Sequence, residues 1–128
     1  MVLADPDGPN PGPDDAPRSH FLYARVMNAY HTYVYLDGPS STGPDPIRLD
    51  FLWIRWYELG EEKPYSLRAV HFPPVLGGTA FDFLDPSDVL RASHIVPVFK
   101  HGLLKEVSQT HSPLAKDEDD WVKYCVGR

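Results

Sequence analysis

Cysteine is almost missing from this sequence. Cys125 is the only one among 128 residues, so no disulfide can form within the chain. Acceptors for N-glycosylation are missing as well, because Asn10 precedes a proline and Asn28 is followed by Ala29 and Tyr30. The opening MVLADPDG has neither a basic region nor a long apolar run, and it does not read as a signal peptide. No apolar stretch approaches the length of a membrane-spanning helix, so no membrane partner is expected and the chain reads as intracellular. A basic excess is also lacking. The formal net charge is −6, and between His20 and Ala115 ten acids face eight bases. A nucleic-acid binder ordinarily carries an excess of lysine and arginine, so this balance disfavours nucleic acid while leaving a local basic patch open. Long segments of 3.6-residue periodicity are absent, which argues against a helical bundle, and no internal repeat is visible.

What the chain does have is punctuation. Fourteen prolines and nine glycines imply many turns and short elements, while an apolar content of 42% is that of a folded domain. Residues 1–19 hold five of those prolines and four aspartates, and they read as a disordered arm ahead of a single domain over 20–128. FLYARVMNAYHTYVYL, 21–36, predicts one long strand, or two with a bend near Asn28-Ala29. After a loop over 37–46, LDFLWIRWYEL, 49–59, predicts the strongest strand. Leu49, Phe51, Trp53, Arg55 and Tyr57 share one face, and Asp50, Leu52, Ile54, Trp56 and Glu58 share the other. Both faces are apolar in the middle, as in a strand covered on both sides or in a barrel wall. A hairpin partner is predicted over YSLRAVHF, 65–72. DPSDVLR begins as a helix does, with Asp85 as N-cap and Pro86 at the first position, but SHIVPVF takes over within two turns. One 3₁₀ turn is therefore expected, then a strand that Pro97 confines to a sheet edge. WVKYCV, 121–126, predicts a final strand. The fold expected is all-β or nearly so: five to seven strands in a small, partly open barrel or curled antiparallel sheet. Helix is limited to the turn near Pro86–Arg91, with a further piece within 103–110.

Catalytic and metal chemistry find little support. SHIVP places His94 in a context resembling the general-base histidine of metal-dependent nucleases. The companions such a site needs are missing, since no asparagine follows Asn28 and no cysteine pair braces the segment. The six histidines form no close ligand pair, so no metal or cofactor is expected. The acid run Asp117–Asp120 lacks the alternation and turn glycine of a calcium loop and reads as a solvated face. Gly77-Gly78-Thr79 has no following lysine and reads as a turn. Cys125 and the serines sit in no nucleophile context. The chain is accordingly read as a non-enzyme.

Aromatic residues are the more informative feature. Tyr23, Tyr30, Tyr33, Tyr35, Trp53, Trp56, Tyr57, Phe72 and Trp121 are many for a domain of this size. Rings beside acids can cage an ammonium group or present a platform for a peptide, and Trp53, Trp56 and Tyr57 with Glu58 are the candidate ligand-binding residues. The competing reading places the same rings in the core.

The order LDFLWIRWYEL, FDFLDPSDVLRASHIVPVFKHG, DEDDWVKYCVGR resembles a module of uncharacterised, often repetitive fungal proteins associated with transposable elements. Those share a tryptophan-containing strand, an LDP turn, an H-I-x-P-x-F strand and an acid run before W-V-x-Y. The likeness covers roughly Phe21 to Arg128. Related modules continue past this last strand, which implies that the chain is truncated relative to them. The resemblance implies no activity and no catalytic residue. A fold-level similarity to bromo-adjacent-homology and SH3-like modules would place a partner in chromatin and the protein in the nucleus. Three readings follow: a binding module recognising a peptide or chromatin-associated protein, a structural or self-association domain, or a fragment of a metal-dependent nuclease, in that order. For the second, residues 121–126 are expected to leave one strand edge open, onto which a homo-oligomer or a partner segment would add.

Overall fold

The computed structural model describes residues 1–4, 21–35, 45–61, 66–75, 78, 80–104 and 120–127. Seven strands form one curled, antiparallel sheet: β1 (Val2–Ala4), β2 (Phe21–Val34), β3 (Ile47–Leu59), β4 (Ala69–His71), β5 (Phe81–Leu84), β6 (Ile95–Pro97) and β7 (Tyr124–Val126). Their spatial order is β1-β2-β3-β4-β7-β6, with β5 added to β3. The sheet does not close into a continuous ladder. A single bridge from Val2 to Arg91 links β1 to the segment that leads into β6. The expected all-β, partly open architecture is the observed one.

The frame is the β2–β3 hairpin. Tyrosines and β-branched residues suit a pleated surface, and the two strands pair from Tyr23–Tyr57 to Val34–Ile47. The register shifts between Val26 and Asn28, leaving Met27 unopposed, so the bend expected near Asn28 is a bulge within one strand. Gly60 ends β3. A side chain there would meet the Cβ of Ala69 at 3.2 Å, and the Gly60 N–H donates to the Ala69 carbonyl. The return strand is shorter than expected: only 69–71 pair, at Glu58–His71 and Leu59–Val70. FDFL, expected to be a lead-in to the turn, is itself a strand against β3, from Leu52–Leu84 to Arg55–Phe81.

The DPSD turn forms as expected. Pro86–Asp88 is one 3₁₀ turn, and the Asp85 carboxylate accepts from the Ser87 N–H and hydroxyl at 2.8 and 2.7 Å. Those two bonds, the backbone one first, hold the Asp85 carboxyl below its ordinary range. β6 is an edge strand, as Pro97 requires, but it spans only 95–97. His94 stands one residue before it, exposed, with its carbonyl accepting from the Gly127 N–H. A second 3₁₀ turn, Phe99–His101, ends at Gly102 with φ of 74°. Of the helix expected within 103–110, residues 103 and 104 are not helical and the rest lie outside the described residues.

Two expectations are overturned. The first concerns the arm at 1–19. Residues 2–4 are a strand paired with 21–23, Val2 and Leu3 are buried, and burial lowers the pKa of the Met1 amino group. Three apolar residues suffice because they complete the edge of β2, and the Val2 N–H also donates to the Arg91 carbonyl. Residues 5–19 lie outside the described residues. The second concerns the end of the sheet. β7 is only 124–126, with Trp121 in a separate bridge to Leu103, and it lies between β4 and β6. Both of its edges are paired, at Ala69–Cys125 and Val96–Cys125, so no open edge exists there for a partner or a second copy.

The core gathers Tyr57, Val70, Phe72, Tyr124 and Val126, with Tyr23, Ile95 and Trp121 packed against it. Tyr57 stacks on Phe72 at 4.3 Å, and Tyr124 meets both rings edge-on.

Candidate binding surface

Cross-strand partners share a face, so the register sorts the aromatics without ambiguity. Tyr23, Arg25, Asn28, Tyr30, Thr32 and Val34 of β2 lie with Ile47, Leu49, Phe51, Trp53, Arg55 and Tyr57 of β3 and with Phe81 and Phe83 of β5. One end of this inner face is the core. The other end has left it, and its residues are exposed: Phe83 by 61%, Leu49 by 48%, Tyr30 and Ile47 by 46% each.

Between the two ends runs a continuous row of rings. Phe81 lies parallel to Trp53 at 5.4 Å, and Trp53 leans on Phe83 at 4.7 Å. Phe83 meets Phe51 edge-on at 5.4 Å, and Phe51 meets Tyr30 at 5.6 Å. The Asn28 side chain donates to the Tyr30 hydroxyl and fixes the outermost ring. The row crosses β5, β3 and β2, and no charged side chain of these strands enters it before Arg25 and Arg55 at its buried end.

That buried end is an aromatic cage already filled. The Arg55 guanidinium lies 3.8 Å over the Phe72 ring, and that of Arg25 lies 4.8 Å over the same ring and 5.7 Å from Tyr124. Arg55 donates to the Asp120 carboxylate at 2.5 Å, with both residues 1% exposed, and Arg25 stands 3.8 Å from the other carboxylate oxygen. Arg55 Nε and Asp120 Oδ1 lack hydrogen-bond partners. Burial pushes the Tyr57 hydroxyl up to about 12 and raises that of Tyr124, and the Arg25 charge works against both shifts. The acid run expected to be solvated thus supplies, in Asp120, the counter-charge of the core; residues 117–119 lie outside the described residues.

The four expected ligand-binding residues do not converge. Trp53 lies mid-row on the inner face. Trp56 and Glu58 point to the opposite face, because they are an odd number of residues away. Glu58 is exposed and stands 3.2 Å from His71 Nε2 across the β3–β4 pair. Tyr57 is 7% exposed and belongs to the core, so the reading of it as a ligand contact is withdrawn: its ring borders the protein's own arginines. The residues missed were Tyr30, Phe51, Phe81 and Phe83. A signal for Phe51 existed in the alternation of 49–57, but Tyr30 joins only through the register of the β2–β3 pair, and Phe81 and Phe83 only through a strand four residues long.

Among the described residues no group of three or more His, Cys, Asp or Glu could hold a metal ion, and no helix is long and apolar enough to cross a membrane. No protein-family model, curated protein or solved structure matches the chain.

Proposed function

We propose that this domain is a non-catalytic protein-recognition module whose inner sheet face docks an extended, apolar segment of a protein partner. The observation that carries this reading is the row Tyr30–Phe51–Phe83–Trp53, exposed at Tyr30 and Phe83, half-buried at Phe51 and Trp53, and continued by the exposed Leu49 and Ile47. Contiguous apolar surface that stays in contact with water is costly, and aromatic rings held rigid by their neighbours lose little entropy when covered. The chemistry of the face selects the partner. A nucleic acid would need cations for its phosphates, and the arginines of this face are held against Asp120 and the core rings. An apolar peptide needs only shape and area. Membership of a larger fungal protein, which rests on the resemblance of the LDP, HIVP and WVKY segments, and a chromatin setting, which rests on the fold-level similarity to bromo-adjacent-homology and SH3-like modules, are part of the proposal.

Phage-displayed peptides selected on the wild-type domain test the reading, with Phe83→Asp and Leu49→Asp as counter-targets. Both substitutions replace exposed side chains, so the fold is retained. Enriched peptides are expected to carry apolar residues in alternation and to lose at least about tenfold in affinity toward either variant, as interface anchors do. Enrichment only of peptides that bind all three proteins equally overturns the proposal, and a concentration-dependent dimer abolished by Phe83→Asp would assign the face to a second copy instead.

A further inference from the structure

The opposite side of the sheet carries a second feature. Ala69 and Cys125 are cross-strand partners on the outer face of β4 and β7, and their pleat leaves a cleft of about 350 Å³ over them. The half-exposed Leu67 and the partly buried Val98 complete its apolar floor. An adjoining cleft of about 250 Å³ shares Glu61, Ala69, His101 and Lys123 with the first, so the two form one groove. The 3₁₀ turn at 99–101 brings Lys100 and His101 to the wall that Lys123 also lines. Neither lysine makes an ion pair among the described residues, and Glu61 is the single acid of the groove.

We infer that this groove docks an extended segment of a protein partner bearing acidic side chains. The occupant follows from complementarity. Two ammonium groups that form no ion pair among the described residues, set beside a floor that includes Ala69 and Cys125, suit carboxylates carried on a peptide backbone that lies close to Ala69. Among the described residues no Phe, Tyr or Trp lines the groove, the imidazoles of His71 and His101 are its only rings, and Glu61 faces it, so a nucleic acid is the poorer fit. The site is independent of the aromatic row, which lies on the other face of the sheet.

The test is an amide chemical-shift titration with a short peptide of alternating glutamate and leucine, run beside its lysine–leucine counterpart and single-stranded oligothymidylate. The glutamate peptide is expected to shift the amides of Leu67, Ala69, Val98 and Cys125, and to weaken as salt shortens the screening length. Lys100→Glu with Lys123→Glu should lower the affinity read at these amides by about tenfold or more, and Lys100→Gln with Lys123→Gln by a smaller factor. Undiminished affinity in the charge-reversed variant overturns the inference. So does binding at the same amides by the lysine peptide or the oligonucleotide as tight as that of the glutamate peptide.

Discussion

Arg55 enters the interior from a strand whose other inward residues are apolar, and its charge there is balanced by one carboxylate 65 positions away in sequence. Burying a guanidinium unpaired is prohibitive, so Asp120 is a condition of the fold rather than an ornament of it. Among the described residues two guanidiniums meet one carboxylate, which makes the site asymmetric. Asp120→Asn takes from the buried Arg55 the carboxylate it donates to and should cost about 3–5 kcal/mol. Arg55→Met leaves Asp120 facing Arg25 and should cost less. Urea unfolding of the two variants measures the difference, and equal losses would show that Arg25 does not compensate. Tyr57 gives a second handle. Its pKa is raised to about 12 from the ordinary value of 10, so the unfolded chain releases this proton first as pH rises. Its stabilising contribution is complete below pH 10 and is lost as pH rises through 12. Unfolding midpoints should therefore fall across that window, and the fall should be smaller in Tyr57→Phe.

At the scale of elements, β5 stands out because its outer edge is open among the described residues, yet it is guarded. Ala80 accepts from the Trp56 N–H, which turns the alternate amides of Phe81 and Phe83 outward. The Phe83 N–H is bonded at 2.8 Å by the Asp82 carboxylate beside it. A charge placed at an edge repels a second strand, and here it also occupies the donor such a strand would need. Asp82→Ala should make the sedimentation coefficient rise with concentration, whereas Asp82→Asn, which retains an acceptor, should stay close to wild type. If Asp82→Ala sediments as the wild type does, the edge is protected by something else. The legibility of elements follows their length. β2 and β3 carry enough alternating residues to declare themselves, and the DPSD turn has its own capping chemistry. Pro97 alone placed β6 at an edge. VLA and FDFL are three and four residues long, too short for periodicity to show, and they are strands only because β2 and β3 offer them unpaired backbone. The aromatic row was half legible for the same reason: Phe51 and Trp53 could be put on one face by counting, while Phe81 and Phe83 needed the pairing.

For the molecule as a whole, the sheet is held by contacts between segments remote in sequence. β1 sits against β2 and, through Val2, against Arg91. Leu3 is 4% exposed at this junction, so Leu3→Asp should cost about 2–5 kcal/mol through lost packing and a buried charge. Hydrogen exchange should then accelerate in 21–24 and at Leu90, whose N–H donates to Val2, more than in β7. Uniform acceleration would mean that the junction has no local stability of its own. The position of β7 was the least legible feature, because six alternating residues announce a strand but carry nothing about which neighbours it will have.

That position has a consequence for how the protein is made. β4 and β6 are separated by a strand that is translated after both of them, and β6 has no other ladder partner among the described residues. While the ribosome is still adding the acid run, the backbone of Ile95–Pro97 and one edge of Ala69–His71 have nothing to pair with, and Arg25 and Arg55 lack Asp120. The half of the sheet beyond β3 can consolidate only when residues 120–126 emerge. A nascent chain stalled before them would present two strands short of the neighbour between them, and an Arg55 short of Asp120, to whatever chaperone waits at the tunnel exit.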